Sequence, residues 1–391
     1  MIRPSLAAVL VIAACARTAP PAFAPRHAVP IASLADADWT GVRAFLDSAL
    51  ADSAAPGAVL GVSWKGQHRY YGAGRLGLAN PAVPDSATVY DMASLSKVIG
   101  LTTAIMMAVD EHRIDLDAPI QRYVPAFQGA GKDQVTVRHL LTHSSGLPAW
   151  RALYREASDR AGALALADTT PLDTLPGARM VYSDLGAIVL TQAIEHIYGM
   201  RIDSLLDQRL FGPLGMVSTR YLPPASWAPR IAPTENDPWR GRILLGEVHD
   251  ENAARLDGVS GHAGIFSNAR DLLAFADWLM SGVHVEGARP PTGAPEPPAA
   301  LPAFIRRQGI PPGSSRALGW DTPSAMSSAG TRLDSTSFGH TGFTGTSIWI
   351  DPTRGLAIVL LSNRVHPTRD NPRWGPVRRG IADRVVESLF R

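Results

Sequence analysis

The chain of 391 residues is 46% hydrophobic and 18% charged, with 37 basic against 35 acidic side chains and a net charge of +2. That balance does not suit binding driven by phosphate contacts, so no nucleic-acid partner is expected, and the length suits two or three domains with a sizeable core. One cysteine, Cys15, excludes a disulfide scaffold and a cysteine-based zinc site.

In residues 1–15 a single positive charge, Arg3, precedes an apolar run too short to span a bilayer, the grammar of an export signal. Ile12-Ala13-Ala14-Cys15 has the form of a bacterial lipobox, so Cys15 is expected to be lipidated. Membrane contact would then run through this anchor only, on the periplasmic face of a bacterial membrane. An ordinary signal cleaved after Ala22-Phe23-Ala24 is the alternative, although Pro25 would occupy the disfavoured position after the cut. Residues 16–35, with Pro20, Pro21, Pro25 and Pro30, read as an extended tether.

Asp38 can cap a helix in which Val42, Phe45, Leu46, Ala49 and Leu50 form the apolar stripe, and Pro56-Gly57 stops it. Strands over 58–64 and 68–74 follow, joined as a hairpin at Lys65-Gly66-Gln67. A helix over 94–112 carries Val98, Leu101, Ile105 and Val109 along one side, and further helices fit 137–141, 184–198, 203–211 and 270–280. The proline-rich stretch 283–302 reads as a mobile surface insertion. Strand patterns return over 347–350 and 356–362, and a last helix places Val377, Ile381, Val385 and Leu389 on one face. The fold class that follows is α/β (α+β). An antiparallel sheet domain from 36–90 plus 315–391 is flanked by the N- and C-terminal helices, and 91–314 forms an inserted helical lobe.

Three segments carry chemistry. In Ser94-Leu95-Ser96-Lys97 the spacing of three sets Ser94 beside Lys97 at a helix start, where N–H groups favour developing negative charge. A serine hydroxyl needs an adjacent base, and a desolvated lysine can serve. Alone this pair is weak, since chance supplies one roughly one time in five. Tyr182-Ser183-Asp184 begins a second helix, and His340-Thr341-Gly342 precedes the strand that holds Trp349.

Taken in this order, the three resemble the Ser-x-x-Lys, Tyr-x-Asn and Lys-Thr-Gly triplet of the serine β-lactamase and penicillin-binding superfamily. The flanking residues 90–97, 137–147 and 339–345 look like class C β-lactamases and their relatives: D-alanyl-D-alanine carboxypeptidases, D-aminopeptidases and serine esterases. The likeness spans about residues 36–390 and implies a β-lactamase/transpeptidase-like fold. It implies Ser94 as the acylated nucleophile, Lys97 as its helper and Tyr182 as the base. The N–H groups of Ser94 and Phe343 would form the oxyanion hole, with Asp184, His340, Thr341, Gly342 and Phe343 against the substrate. It implies no metal and no cofactor.

Two departures weaken a β-lactamase reading more than they weaken acyl-serine chemistry. Asp184 stands where the family usually has Asn, and His340 where β-lactamases usually have Lys. Asp184 is expected to face Lys97, raise its pKa and shift the base role to Tyr182; a helix cap pointing away is the alternative. An imidazole carries full charge only below about 6.5, so carboxylate-bearing substrates are expected to lose kcat/KM between about pH 6 and 8. The expected function is a serine hydrolase acting on a small ester or a cell-wall-type, D-amino-acid peptide. A true class C-like β-lactamase and a penicillin-binding sensor with little turnover are the alternatives. Glu247, His249, Asp250 and Glu251 read as loop structure rather than a metal cluster. His143 and His262 read as hydrogen-bonded structural histidines, and Trp150 and Trp320 as core or rim.

Overall fold

The structure is a computed structural model that describes residues 33–390. Cys15, the lipobox and the tether up to residue 32 lie outside the described residues. Within them, Leu34 is already buried and its N–H donates to Gln67, so the expected tether ends before it. An apolar side chain placed beside the first helix packs rather than staying extended.

Five strands build the main sheet: β1 (Gly57–Trp64), β2 (Gln67–Gly74), β3 (Phe338–Thr341), β4 (Ser347–Asp351) and β5 (Leu356–Ser362). Their order is β2-β1-β5-β4-β3, antiparallel throughout, with β1 paired to β5 from Ala58↔Ser362 to Trp64↔Leu356. The two ends of the chain thus close one sheet. The β1–β2 hairpin turns at Lys65 and Gly66, both at positive φ (49° and 74°), as a two-residue turn between twisted strands requires.

The principal helices are α1 (Thr40–Ala51), α2 (Thr103–Asp110), α3 (Asp184–Tyr198), α4 (Ala269–Gly282) and α5 (Trp374–Leu389). Alternation splits the strands between two cores. Ala58, Leu60, Val62, Leu356, Ile358 and Leu360 face α1 and α5, where Val42, Leu46, Val377, Ile381, Val385 and Leu389 are buried. Val59, Ala357, Val359, Leu361, Ile348 and Ile350 face the other way, onto Leu272, Leu273 and Ala276 of α4. A one-residue slip would exchange the two sets, so burial on both faces fixes the register. α4 therefore covers the sheet and belongs with it, although its place in the chain assigned it to the helical lobe.

Other elements also depart from expectation. The 94–112 helix is three pieces: a 3₁₀ turn (Ala93–Leu95), a π-helical stretch (Lys97–Thr102) and α2. The 203–211 helix likewise widens after Leu206. A small sheet of Tyr90–Asp91, Ile265–Ser267 and Arg220–Tyr221 had no legible pattern, because two or three residues cannot display a period of two. The 283–302 stretch does not hang free. Trp278 Nε1 donates to Pro295 O at 2.7 Å, Ala300 N donates to Asp110 Oδ1 at 2.9 Å, and Pro297 packs on Gly282.

Candidate active site

Ser94 lies on the 3₁₀ turn immediately after the small-sheet strand Tyr90–Asp91. Ala93, just before it, has φ 45°, a left-handed conformation rare for a residue with a Cβ. Asp91 Oδ1 accepts from Ala93 N at 2.7 Å, and Met92 N donates to Ile265 O at 2.9 Å. From the other side, Thr344 and Thr346 donate their hydroxyls to Asp91 O and Met92 O. Gly342 passes so close that a Cβ would stand 2.4 Å from Met92 O. This absence of a side chain brings the end of β3 against the nucleophile turn.

The helical lobe supplies the groups around the hydroxyl. Lys97 Nζ donates to Ser94 Oγ and to His262 O, each at 3.0 Å, and pairs with Asp184 Oδ1 at 2.6 Å. It stands 5.0 Å from the centroid of the Tyr182 ring. Burial opposes its charge, but the Asp184 carboxylate and Tyr182 outweigh burial, and the Lys97 pKa is raised. The ammonium can donate to Ser94 but has no lone pair with which to accept a proton. Ser183 caps α3, accepting from Gly186 N, so Asp184 is left facing Lys97 rather than serving as the cap. Tyr182 Oη is buried and has no hydrogen-bond partner among the described residues. The Tyr182 ring packs 4.4 Å from the His143 ring, whose Nδ1 accepts from Ser183 N at 3.1 Å.

The opposite wall is the outer edge of β3 and the chain laid along it. A cavity of about 720 Å³ is lined by Ser94, Tyr182, Arg316, His340, Thr341, Gly342, Phe343 and Arg378 among others. Ser94 and Phe343, whose N–H groups are the expected oxyanion hole, both line this cavity, and neither N–H has an acceptor among the described residues. Phe343 is 49% exposed; its ring lies under Arg364 and against His249.

His340 corrects one expectation. It is buried, Nδ1 shares a hydrogen bond with Thr341 O at 2.9 Å, and burial together with Arg316 and Lys97 holds its pKa well below 6.5. It is a neutral imidazole whose Nδ1–H donates to that carbonyl, leaving Nε2 as an acceptor without a partner among the described residues. The cations on this wall are instead arginines that no motif marked. Arg316 precedes Asp321, which exchanges backbone hydrogen bonds with Gly339 at the edge of β3. The Arg316 guanidinium stacks 5.2 Å from the Tyr182 ring, with Nε and Nη1 buried and without partners among the described residues. Arg378 of α5 donates to Gly342 O and Thr346 O, while its Nε has no such partner.

The remaining candidates are structural. Glu247 pairs with Arg240 and Arg242, and His249 with Glu235; no cluster able to hold a metal occurs among the described residues. His262 sits between Ser260 Oγ at 2.8 Å and Asp250 Oδ1 at 2.9 Å. Trp320 is buried against Phe338, and Trp150 lies half-exposed beside Tyr154.

The Beta-lactamase family model matches residues 42–383. A Salmonella agona protein named "Putative D-alanyl-D-alanine carboxypeptidase" is 30% identical over 348 residues, covering 81% of this chain and 78% of that one. The fold is shared with a penicillin-binding protein homologue from Caulobacter crescentus (TM-score 0.72, 19% identity, covering 90% of this chain and 97% of that one). It is shared too with EstCE1, a hydrolase with promiscuous acyltransferase activity (TM-score 0.67, 20% identity, 88% and 97%). The serine, lysine and tyrosine around one cleft, the two-sided sheet and the matched length agree, and the chain belongs to the β-lactamase family of serine hydrolases.

Proposed function

We propose that the protein hydrolyses acyl substrates through an acyl-Ser94 intermediate, and that it favours those with a carboxylate on the leaving side, as in a peptide ending in a D-amino acid. The observation that carries this reading is Arg316: its Nε and Nη1 are buried without a hydrogen-bond partner among the described residues, in the same cavity as Ser94. Buried N–H donors left unpaired are unfavourable, and a substrate carboxylate relieves them through charge-assisted hydrogen bonds.

In the acylation step Ser94 Oγ attacks the carbonyl carbon, and Tyr182, acting as the phenolate beside the Lys97 ammonium, takes its proton. Lys97 remains an ammonium, donating to Ser94 Oγ and holding the hydroxyl in place. The N–H groups of Ser94 and Phe343 bind the developing oxyanion. Tyr182 passes the proton to the leaving group as the tetrahedral intermediate collapses, then accepts one from the water that attacks the acyl-enzyme and returns it to Ser94 Oγ as the acid is released. The Asp184 carboxylate offers no N–H to an acylamino carbonyl, which disfavours most penicillins relative to simple esters. The reading places the enzyme outside the cytoplasm, anchored through Cys15; a Cys15→Ala variant should then lose palmitate labelling.

The test is a matched pair of substrates, an acyl-D-alanyl-D-alanine peptide and its methyl ester, beside nitrocefin and p-nitrophenyl esters. A kcat/KM at least tenfold higher for the free acid is expected. Equal values would remove the carboxylate from the reading, and a stoichiometric burst without turnover would favour a sensor.

A further inference from the structure

The nucleophile's backbone depends on a conformation that its sequence resists. Ala93 at φ 45° places a Cβ where L-residues are disfavoured, and such strain persists only where neighbours over-determine it. The direction of the Ser94 N–H follows from that turn. Among the neighbours, one side chain addresses Ala93 directly. Asp91 is 1% exposed, and its two carboxylate oxygens each receive one backbone N–H: Oδ1 from Ala93 at 2.7 Å and Oδ2 from His249 at 2.6 Å.

The second bond reaches the other flank of the oxyanion hole. His249 lies with its ring 5.7 Å from Phe343 and nearly parallel to it, at 25°. The next residue, Asp250, holds His262, whose carbonyl holds Lys97 Nζ. A single carboxylate therefore ties the strained turn before Ser94 to the loop that supports Phe343 and Lys97. Both bonds need an acceptor, and an amide at this position would present N–H to one of the two donors.

We propose that Asp91 is a positioning residue for acylation: it clamps Ala93 in its left-handed turn so that the Ser94 N–H points into the oxyanion hole. This rests on the acyl-Ser94 reading above. If the clamp works by restraining Ala93, a glycine there should make it dispensable, because glycine adopts positive φ without steric cost.

The test is a four-chain cycle of wild type, D91N, A93G and D91N/A93G. The burst of p-nitrophenol from a p-nitrophenyl ester gives the acylation rate constant, with KM and Tm measured alongside. With Ala93 present, D91N should lower the acylation constant roughly 30-fold with KM within about twofold, short of the 10²–10³ lost when an oxyanion donor is removed outright. In the A93G background, the same change should cost no more than about threefold. An equal loss in both backgrounds, a loss confined to KM, or a D91N chain that acylates like wild type would overturn the proposal. Should D91N alone fail to fold, a folded and acylating double variant supports the clamp. If neither folds, Asp91 is a core residue only and the proposal falls. S94A serves as the control: a burst surviving there would sink the acyl-Ser94 reading itself, whatever Asp91 does.

Discussion

On the helical side of Ser94, Lys97 Nζ is shared among Ser94 Oγ, His262 O and the Asp184 carboxylate, all within 3.0 Å. On the sheet side, Arg316 Nε and Nη1, Arg378 Nε and His340 Nε2 are buried with no partner among the described residues. The first wall has its hydrogen bonds in place before any substrate arrives. The second leaves groups whose satisfaction requires one. Preorganised groups suit the step in which charge develops, and unsatisfied groups suit recognition, since each is unfavourable by about 1–3 kcal/mol until paired. Tyr182 Oη and Asp184 Oδ1 are the exceptions on the helical side: the first takes up a proton as the phenolate, and the second is ion-paired with Lys97 without a hydrogen bond.

The largest effects should come from the prepared wall. Ser94→Ala should abolish covalent labelling by a fluorophosphonate and lower kcat by several orders of magnitude. Lys97→Ala and Tyr182→Phe should each cost a comparable amount, and a double variant little more than either alone, because groups acting as a unit are non-additive. Additive losses in stopped-flow acylation would break the claim that this wall works as one device.

Next in size is the recognition wall. Arg316→Gln should lower kcat/KM for the free-acid peptide by about 1.5–3 kcal/mol, roughly 10- to 150-fold, while leaving its methyl ester within about threefold. A parallel loss on both substrates would mean that Arg316 supports Tyr182 rather than receiving a carboxylate.

These walls differ in how much the sequence disclosed. Ser94, Lys97 and Asp184 were legible because their spacings are local facts and the three short segments together resemble one family's triplet. The α5 pattern was legible because it buries one regular face, and β1 and β5 because they are short apolar runs buried on both faces. Arg316 was not, being one of 34 arginines with no motif around it, placed by pairing at Asp321 and Gly339. Asp91 falls only among the flanking residues 90–97, and its partner His249 lies 158 residues away. For His340 the residue type was visible, but its burial and its nearness to Arg316 were not.

A smaller effect sharpens the role of Asp184. Its charge keeps the Lys97 pKa up against burial, so Asp184→Asn should let burial prevail and lower it. Because the folded-state pKa of Lys97 is raised above its unfolded value, the stability this pair supplies is complete below the unfolded lysine pKa of about 10.4. It is lost as pH rises through the folded value. Urea denaturation should therefore show wild type more stable than the variant at neutral pH, with the gap closing only above about pH 10. The variant should also hydrolyse acylamino substrates better, since Asn offers their carbonyl an N–H, with little change on short esters. A stability gap that closes below pH 8 would mean that the pair is not what holds Lys97 charged.

The smallest expected effect is an absence of difference, and it bears on His340. Had this residue been the cation for a substrate carboxylate, its loss of charge near pH 6.5 would make free-acid and methyl-ester substrates diverge between pH 6 and 8. Burial, Arg316 and Lys97 instead hold it neutral through that range, and Nδ1–H is committed to Thr341 O. The ratio of kcat/KM for the two substrates should therefore stay constant within about twofold from pH 6 to 8, with the carboxylate held by Arg316 throughout. His340→Gln should leave that flat ratio flat, because it exchanges one neutral group for another. A ratio that falls tenfold across the interval in wild type and becomes flat in the variant would return the charge to His340. It would also show that the two walls titrate together, which their difference in hydrogen bonding argues against.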